Sequence, residues 1–184
     1  MDAYRSVVSK RDLRSYTDRP IDRPTLLKIL DAGRRAGSSR NGQPWQFIAI
    51  TDRAVLGRLA RCGRFARHLE AAAAVVVIVI DDTRHLFDAG RCAQNLMLGG
   101  WSLGIASCPA TLHHETAARE VLGIPEHLIL APAVALGHPD PRGRGRIERL
   151  ALSVITGRGR KPLESMLYWN RYGRRAGQDG PPAQ

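Results

Sequence analysis

Residues 37–47 (GSSRNGQPWQF) place Ser38, Ser39, Asn41, Gln43 and Gln46 in one short segment. Asn and Gln amides each carry donors and an acceptor, the mixture that the edge of a polar heterocycle requires. Pro44 stiffens the exit and Trp45 opens an apolar stretch. Ser, Asn and Gly are also turn formers, so a helix stop followed by a turn accounts for the same composition. A second segment holds Lys10, Arg11 and Arg14 around Asp12, and runs on to Leu13, Ser15 and Tyr16. If helical, Lys10 and Arg14 share a face with Arg11 beside them. Such cations repel one another unless an anion lies between them. Asp12 relieves part of the repulsion, and a phosphate would relieve more through charge-assisted hydrogen bonds. A solvated basic face is the alternative. Residues 158–163 (RGRKPL) form another candidate clamp, far away in sequence.

Other chemistries find less support. There is no G-x-G-x-x-G after a strand, no G-x-x-x-x-G-K-[ST] and no G-x-S-x-G elbow, so dinucleotide, P-loop and nucleophile-elbow sites are not indicated. His113 and His114 are adjacent; on a helix they point about 100° apart and poorly suit one metal. Cys108 reads as a small buried hydrophobe, with no activating cation predictable beside it.

The elements that must position these residues follow from periodicity. Residues 1–22 are polar and Arg-rich, and Pro20 and Pro24 mark a loop. A helix is expected over 25–37, with Leu26, Leu27, Leu30 and Ala36 apolar. A strand follows at 45–51 and a short helix at 54–59. The run 71–80 begins as a helical Ala stretch and becomes a central β-branched strand at 75–80. A long helix spans 85–103, with Leu86, Ala89, Ala93, Leu96, Met97 and Gly100 on its buried side. There Ala93, Gly99 and Gly100 would let another helix approach closely, and Ala89, Ala93 and Gly100 suggest a small-residue seam for a second subunit. Residues 105–109 read as strand or loop, 115–122 as a short helix ended by Gly123, and 128–136 as a strand interrupted by Pro132. Residues 137–159 are basic and Gly-rich, and the tail after Arg174 is expected to be disordered. Helices and strands alternate around a few buried strands, which defines an α/β or α+β domain over 1–174, with 175–184 as tail.

The formal net charge is +11, from 28 Lys and Arg against 17 Asp and Glu. Lys occurs only at 10, 28 and 161, and the Arg residues are scattered along the chain with little aromatic interleaving. That pattern argues against a nucleic-acid binder. Three cysteines without regular spacing argue against a disulfide scaffold and against a zinc ribbon. No apolar leader opens the sequence, and the run 71–80 is too short to cross a bilayer. A cytoplasmic, reducing location without a membrane partner is expected.

In this order the segments resemble the nitroreductase-like flavoprotein family over residues 9 to 172. The family's R-R-S-I-R-x-F-like opening is similar to residues 10–16, and its P-S-x-x-N-x-Q-P-W-x-F loop to residues 37–47. Similar matches are the long helix at 93–105, L-G-x-P at 136–139, and R-x-R-x-P-L-E at 158–164. The resemblance implies an α+β fold: a mostly antiparallel central sheet flanked by helices, in an intertwined homodimer. It implies one FMN per subunit, NADH or NADPH as electron donor, and a small electron-poor acceptor such as a nitroaromatic, quinone or enone. Lys10, Arg11, Asp12, Arg14, Arg158 and Arg160 would hold phosphate and ring edge. Gly37, Ser38, Ser39 and Asn41 would reach the flavin from the partner subunit, and the backbone of Pro109, Ala110, Thr111 and Leu112 would lie by N5. No catalytic side chain is implied, since the flavin carries the chemistry. Two departures stand out. Gly37 replaces the common Pro and would loosen that loop. Asp12 stands where many members have Ser, and must face Arg11, Arg14 or the ring. Asp12 with Thr111 also resembles the branch that cleaves FMN with oxygen to a dimethylbenzimidazole. That branch, and a flavin-holding protein without turnover, are the alternatives.

Overall fold

The computed structural model describes residues 2–142 and 160–174. The chain divides into two units, Met1–Gly145 and Arg146–Gln184. In the first, the order is α1 (Ala3–Ser9), α2 (Arg23–Arg34), β1 (Gln46–Ile50), α3 (Arg53–Ala60), β2 (Ala74–Ile80), α4 (Leu86–Ser102), β3 (Ala106–Ala110), α5 (Glu115–Leu122) and β4 (Ile129–Gly137). The strands make one antiparallel sheet in the order β1-β2-β4-β3. This is the α+β fold with an antiparallel central sheet that the resemblance implied.

The sheet is covered on both faces, which is why β2 (AVVVIVI) is buried at every position and shows no polar alternation. Val75, Val77 and Val79 join Leu56, Leu59 and Leu69 in one core. Val76, Ile78 and Ile80 face the other, with Ile29 of α2 and Leu96 of α4. Side chains alternate across a strand, so a single run of β-branched residues serves both cores. Helix α2 packs closely on α4: a Cβ at Gly99 would meet the Ala32 Cβ at 2.7 Å. The small residues of α4 thus admit a helix of the same chain. Ala89, Ala93 and Gly100 are buried there as well, so they do not form a seam for a second subunit.

Four local expectations are corrected. Residues 3–9 form α1, capped by Asp2, whose carboxylate accepts from the Arg5 N–H at 2.8 Å. Its exposed Tyr4, Val7 and Val8 gave no amphipathic signal. Residues 71–73 are not helical, because the Ala73 N–H pairs with the Leu136 carbonyl at 2.9 Å and draws the chain into the sheet; tertiary pairing outweighs Ala helix propensity. Residues 10–14 are extended rather than helical, for the reason given below. Leu86 opens α4 and is 46% exposed instead of buried.

In the second unit, Leu163–Ser165 make one tight turn and the rings of Tyr168 and Tyr172 lie 4.5 Å apart. Leu163, Met166, Trp169 and Tyr172 are exposed. Arg158, most of the Gly-rich basic stretch and the tail after Arg174 lie outside the described residues. Among the described residues no helix is long and apolar enough to cross a membrane.

Candidate functional site

Strand β3 lies at the edge of the sheet, and an edge leaves backbone N–H and C=O groups unpaired. Residues 12–16 cover it. Asp12 bridges Ser107, and the Leu13 N–H donates to the Ser107 carbonyl at 3.0 Å. Tyr16 bridges Pro139, and the Thr17 N–H donates to the His138 carbonyl at 2.9 Å. The basic segment is therefore a strap along β3, which is why it is extended.

That conformation decides the ion pairing. Alternate residues of an extended chain share a face, which brings Asp12 to Lys10; its carboxylate pairs with the Lys10 ammonium while 56% of the Asp12 side chain stays exposed. The Lys10 side chain is only 9% exposed, and its Nζ also lies 3.3 Å from Met97 Sδ on α4. Arg11 turns back instead, donating from Nη1 to the carbonyls of Val8 and Lys10 at 2.9 Å each. Arg14 is exposed, and its Nε donates to Cys108 Sγ at 3.4 Å. Cys108 thus has a cation beside it, contrary to the sequence expectation. Burial nevertheless raises the thiol above its ordinary pKa, and Arg14 offsets only part of that rise.

Three polar side chains around the strap lack a well-formed hydrogen bond: Tyr16 Oη, Ser107 Oγ and both ring nitrogens of His68. Burial drives the Tyr16 phenol upward, helped by Cys108 and Asp12 and opposed by Arg14. Burial first and Arg14 second lower the His68 pKa, against weaker backbone contacts at Phe65 and Cys108. His68 is therefore neutral when folded and takes up a proton more readily once unfolded. Its contribution to stability is complete above the ordinary imidazole value of 6.5 and declines as the pH falls below it. Urea midpoints should accordingly drop between about pH 7.5 and about pH 5.5, with a smaller drop in His68→Leu. An identical drop in the variant would assign the acid sensitivity elsewhere.

The polar loop occupies a different place. Arg40, Asn41 and Gln43 all have left-handed backbone, at φ 51°, 55° and 49°. Non-glycine residues in that region carry strain and persist only where surroundings hold them. Here the Gln43 N–H donates to Ser38 Oγ at 2.9 Å, and the Ser39 N–H to Asp88 Oδ2 at 3.3 Å. Asp88 is a buried carboxylate in the first turn of α4, with Arg91 Nη1 4.0 Å from its Oδ1. A Cβ at Gly37 would fall on the Arg91 guanidinium, so the departure from Pro makes room for that side chain. Asn41 and Ser39 are exposed, and Ser38 is half-buried.

The chain therefore brings Lys10, Asp12 and Arg14 together beside β3, which continues through Pro109 and Ala110 to exposed Thr111 and buried Leu112. It hangs the Gly37–Asn41 loop at the other end of α4. Met97, the contact of Lys10, and Asp88, the anchor of the loop, stand nine residues apart, about 14 Å along the helix. Arg160 is exposed in the second unit. Sequence reasoning missed Cys108, His68 and Asp88 as neighbours of the site. Their signal lies only in the contact partners that the fold supplies.

These features place the chain in a known family. The model of the Nitroreductase family matches residues 7–79 and 65–138. A relative in Archaeoglobus fulgidus, provisionally named an NADH dehydrogenase/NAD(P)H nitroreductase, is 31% identical over 149 residues, covering 75% of this chain and 86% of its own. A Parabacteroides distasonis structure under the same name superposes with TM-score 0.78 at 24% identity, covering 92% of this chain and 98% of that one. NADPH:FMN oxidoreductase from Vibrio harveyi, solved with NAD+, gives TM-score 0.75 at 25% identity over 92% of this chain and 77% of that one. The chain belongs to the Nitroreductase family.

Proposed function

We propose that the protein is an FMN-dependent NAD(P)H oxidoreductase, working as a homodimer on small electron-poor acceptors by ping-pong turnover. One observation carries the reading: the strap of residues 10–16, bearing Lys10, Asp12 and Arg14, is locked along the free edge of β3 and leads into residues 109–112. The residues present fit FMN. Cationic side chains suit its phosphate or its electron-rich ring edge, and the unpartnered, fully buried Ser107 Oγ lies where the strap crosses β3. When bound, FMN would supply hydride-transfer chemistry at N5 between NADH or NADPH and a nitroaromatic, quinone or enone.

The chain's own residues bind and polarise. Lys10 holds its positive charge in a partly water-excluded place, where it counts for more than in bulk solvent, and exposed Arg14 adds a second cation beside β3. Asp12 keeps the Lys10 ammonium in position, and this supports an orienting role for Asp12 over the flavin-cleaving alternative. Ser38, Ser39 and Asn41 of one subunit reach the ring edge of the other. By the family resemblance, Arg158 and Arg160 would also serve the phosphate. No side chain need transfer a proton, since water can protonate the product. Nucleic acid and membrane have no part in this reading.

The dimer accounts for two features of the single chain. The strap and the loop are anchored on α4 at Met97 and Asp88, about 14 Å apart along the helix, which favours their serving different rings. Tyr4, Val7, Val8, Phe87 and Leu103 are exposed on helices α1 and α4 or at their ends, more apolar surface than a monomer needs to show. Light scattering at micromolar concentration should give twice the 20.2 kDa of one chain. A stable folded monomer would remove the two-chain site.

The chemistry is tested by the absorbance of the purified protein. A yellow flavin spectrum that bleaches when NADH or NADPH is added without oxygen supports the enzyme. Stable colour indicates a flavin-holding protein, and no colour removes the reading.

A further inference from the structure

Beyond the end of α3, residues 61–70 form a run of tight turns, with the N–H groups of Arg61, Cys62, Ala66, Leu69 and Glu70 each donating to the carbonyl three residues back. The run buries Cys62, Ala66, His68 and Leu69 and leaves Arg61, Arg64, Phe65 and Arg67 in solvent. Most other surface arginines near carboxylates are paired: Arg34 and Arg35 with Asp31, and Arg84 with Asp82. Arg61, Arg64 and Arg67 have no carboxylate within 4 Å among the described residues. Three exposed arginines at three-residue spacing, without a carboxylate partner, make a cationic stretch that suits an anion.

The loop is docked at a particular place. The His114 N–H donates to the Cys62 carbonyl at 2.8 Å, and the Arg64 N–H donates to His113 Nδ1 at 3.3 Å. A Cβ at Gly63 would lie 2.5 Å from the Thr111 carbonyl oxygen, so the loop backbone rests directly on the chain that leaves β3. Phe65 is 73% exposed, and its ring is met edge-on by His113, with centroids 6.3 Å apart at 76°. The arrangement combines a supported aromatic surface with flanking arginines, beside residues 109–112. An adenosine phosphate offers the complementary pair: a flat heterocycle to stack and a dianion for a planar cationic fork.

We infer that Arg64, Phe65 and Arg67 recognise the adenosine 2′-phosphate end of NADPH, and that NADPH is the preferred electron donor. This rests on the reading that the flavin lies along residues 109–112, because only then does a nucleotide seated on the loop direct its nicotinamide to the ring. Arg64 and Arg67 bind the 2′-phosphate, and Phe65 stacks on adenine. NADH carries a neutral hydroxyl in place of that phosphate, so it gains the stacking alone. The unpaired arginines then add nothing to its binding.

The test uses the FMN-loaded protein and the double variant Arg64→Ala/Arg67→Ala. Both substituted side chains are exposed and make no ion pair in the fold, and an Arg64→Lys/Arg67→Lys variant retains the charge. The wild type should favour NADPH over NADH by at least roughly tenfold in kcat/KM, the worth of one charge-assisted contact. The Ala variant should lose that preference through KM for NADPH, with kcat and the NADH constants unchanged, and the Lys variant should keep part of it. Calorimetry reads the surface apart from turnover: 2′,5′-ADP should bind more tightly than 5′-AMP, and only in chains that retain the two cations. Equal affinity for these ligands in the wild type, or equal losses for NADPH and NADH in the Ala variant, overturns the inference. Failure of both dinucleotides to bleach the flavin would remove the oxidoreductase reading, and the calorimetric comparison would still decide this one.

Discussion

Replacing Arg14 by Ala is expected to weaken FMN binding by roughly ten- to a hundredfold. That range is the worth of a charge-assisted hydrogen bond, about 1.5–3 kcal/mol. Arg14 is preorganised for such a contact, because its Nε is held on Cys108 Sγ at 3.4 Å and the residue is exposed on the strap. A side chain already fixed at Nε has less rotamer freedom left to lose on binding. Asn41→Ala should cost less, about 0.5–1.5 kcal/mol, because it removes neutral hydrogen bonds. The two losses should part company with riboflavin, which has no phosphate. If Arg14 serves the phosphate, its substitution barely affects riboflavin, while Asn41→Ala weakens both ligands alike. Fluorescence titration of each flavin measures this. An equal Arg14 loss for both would move that guanidinium to the ring edge.

Gly137→Ala should destabilise the fold by about 1–3 kcal/mol and lower FMN affinity as well. A Cβ there would come within 2.7 Å of Tyr16 Cγ and Cδ1 and 2.8 Å of its Cβ. These are atoms at the root of the ring, not the tip of a flexible chain. Tyr16 cannot swing aside easily, since it is 7% exposed and its backbone bridges Pro139. Relief therefore comes from lifting residues 12–16 off β3, which displaces Lys10, Asp12 and Arg14 together. Urea denaturation and flavin titration should fall in step. A second substitution, Tyr16→Ala, should make the two changes less than additive, because the collision is then gone. A Gly137→Ala protein as stable as the parent would show that the ring does not rest there.

The parts of this architecture legible in the sequence are those set by local pattern. The unbroken apolar run of β2 announced a strand covered on both faces, and Gly123 marked the end of α5, where it adopts φ 65°. The order of the basic, polar-loop and long-helix segments pointed to the family. What stayed hidden depends on tertiary pairing. Lys10, Arg11 and Arg14 suggest a helical face, but the unpaired edge of β3 draws them into an extended strap and so changes every ion pair among them. Asp12 then falls to Lys10. The small residues Ala89, Ala93 and Gly100 suggest a subunit seam, whereas their own sheet and α2 occupy that face. His68 and Asp88 carry no motif. Each matters only because chain distant in sequence buries it beside a cation or a strained loop.

The separation of strap and loop along α4 bears on inheritance as much as on binding. If each centre draws its strap from one chain and its loop from the other, two different defects need not add. Consider a chain with a broken strap, Arg14→Ala, co-expressed with a chain with a broken loop, Asn41→Ala. In the mixed assembly one centre collects both lesions, and the other receives an intact strap and an intact loop. Two impaired alleles would then complement each other and restore up to half of the parental activity to every hybrid molecule. Two alleles damaged in the same segment would rescue nothing.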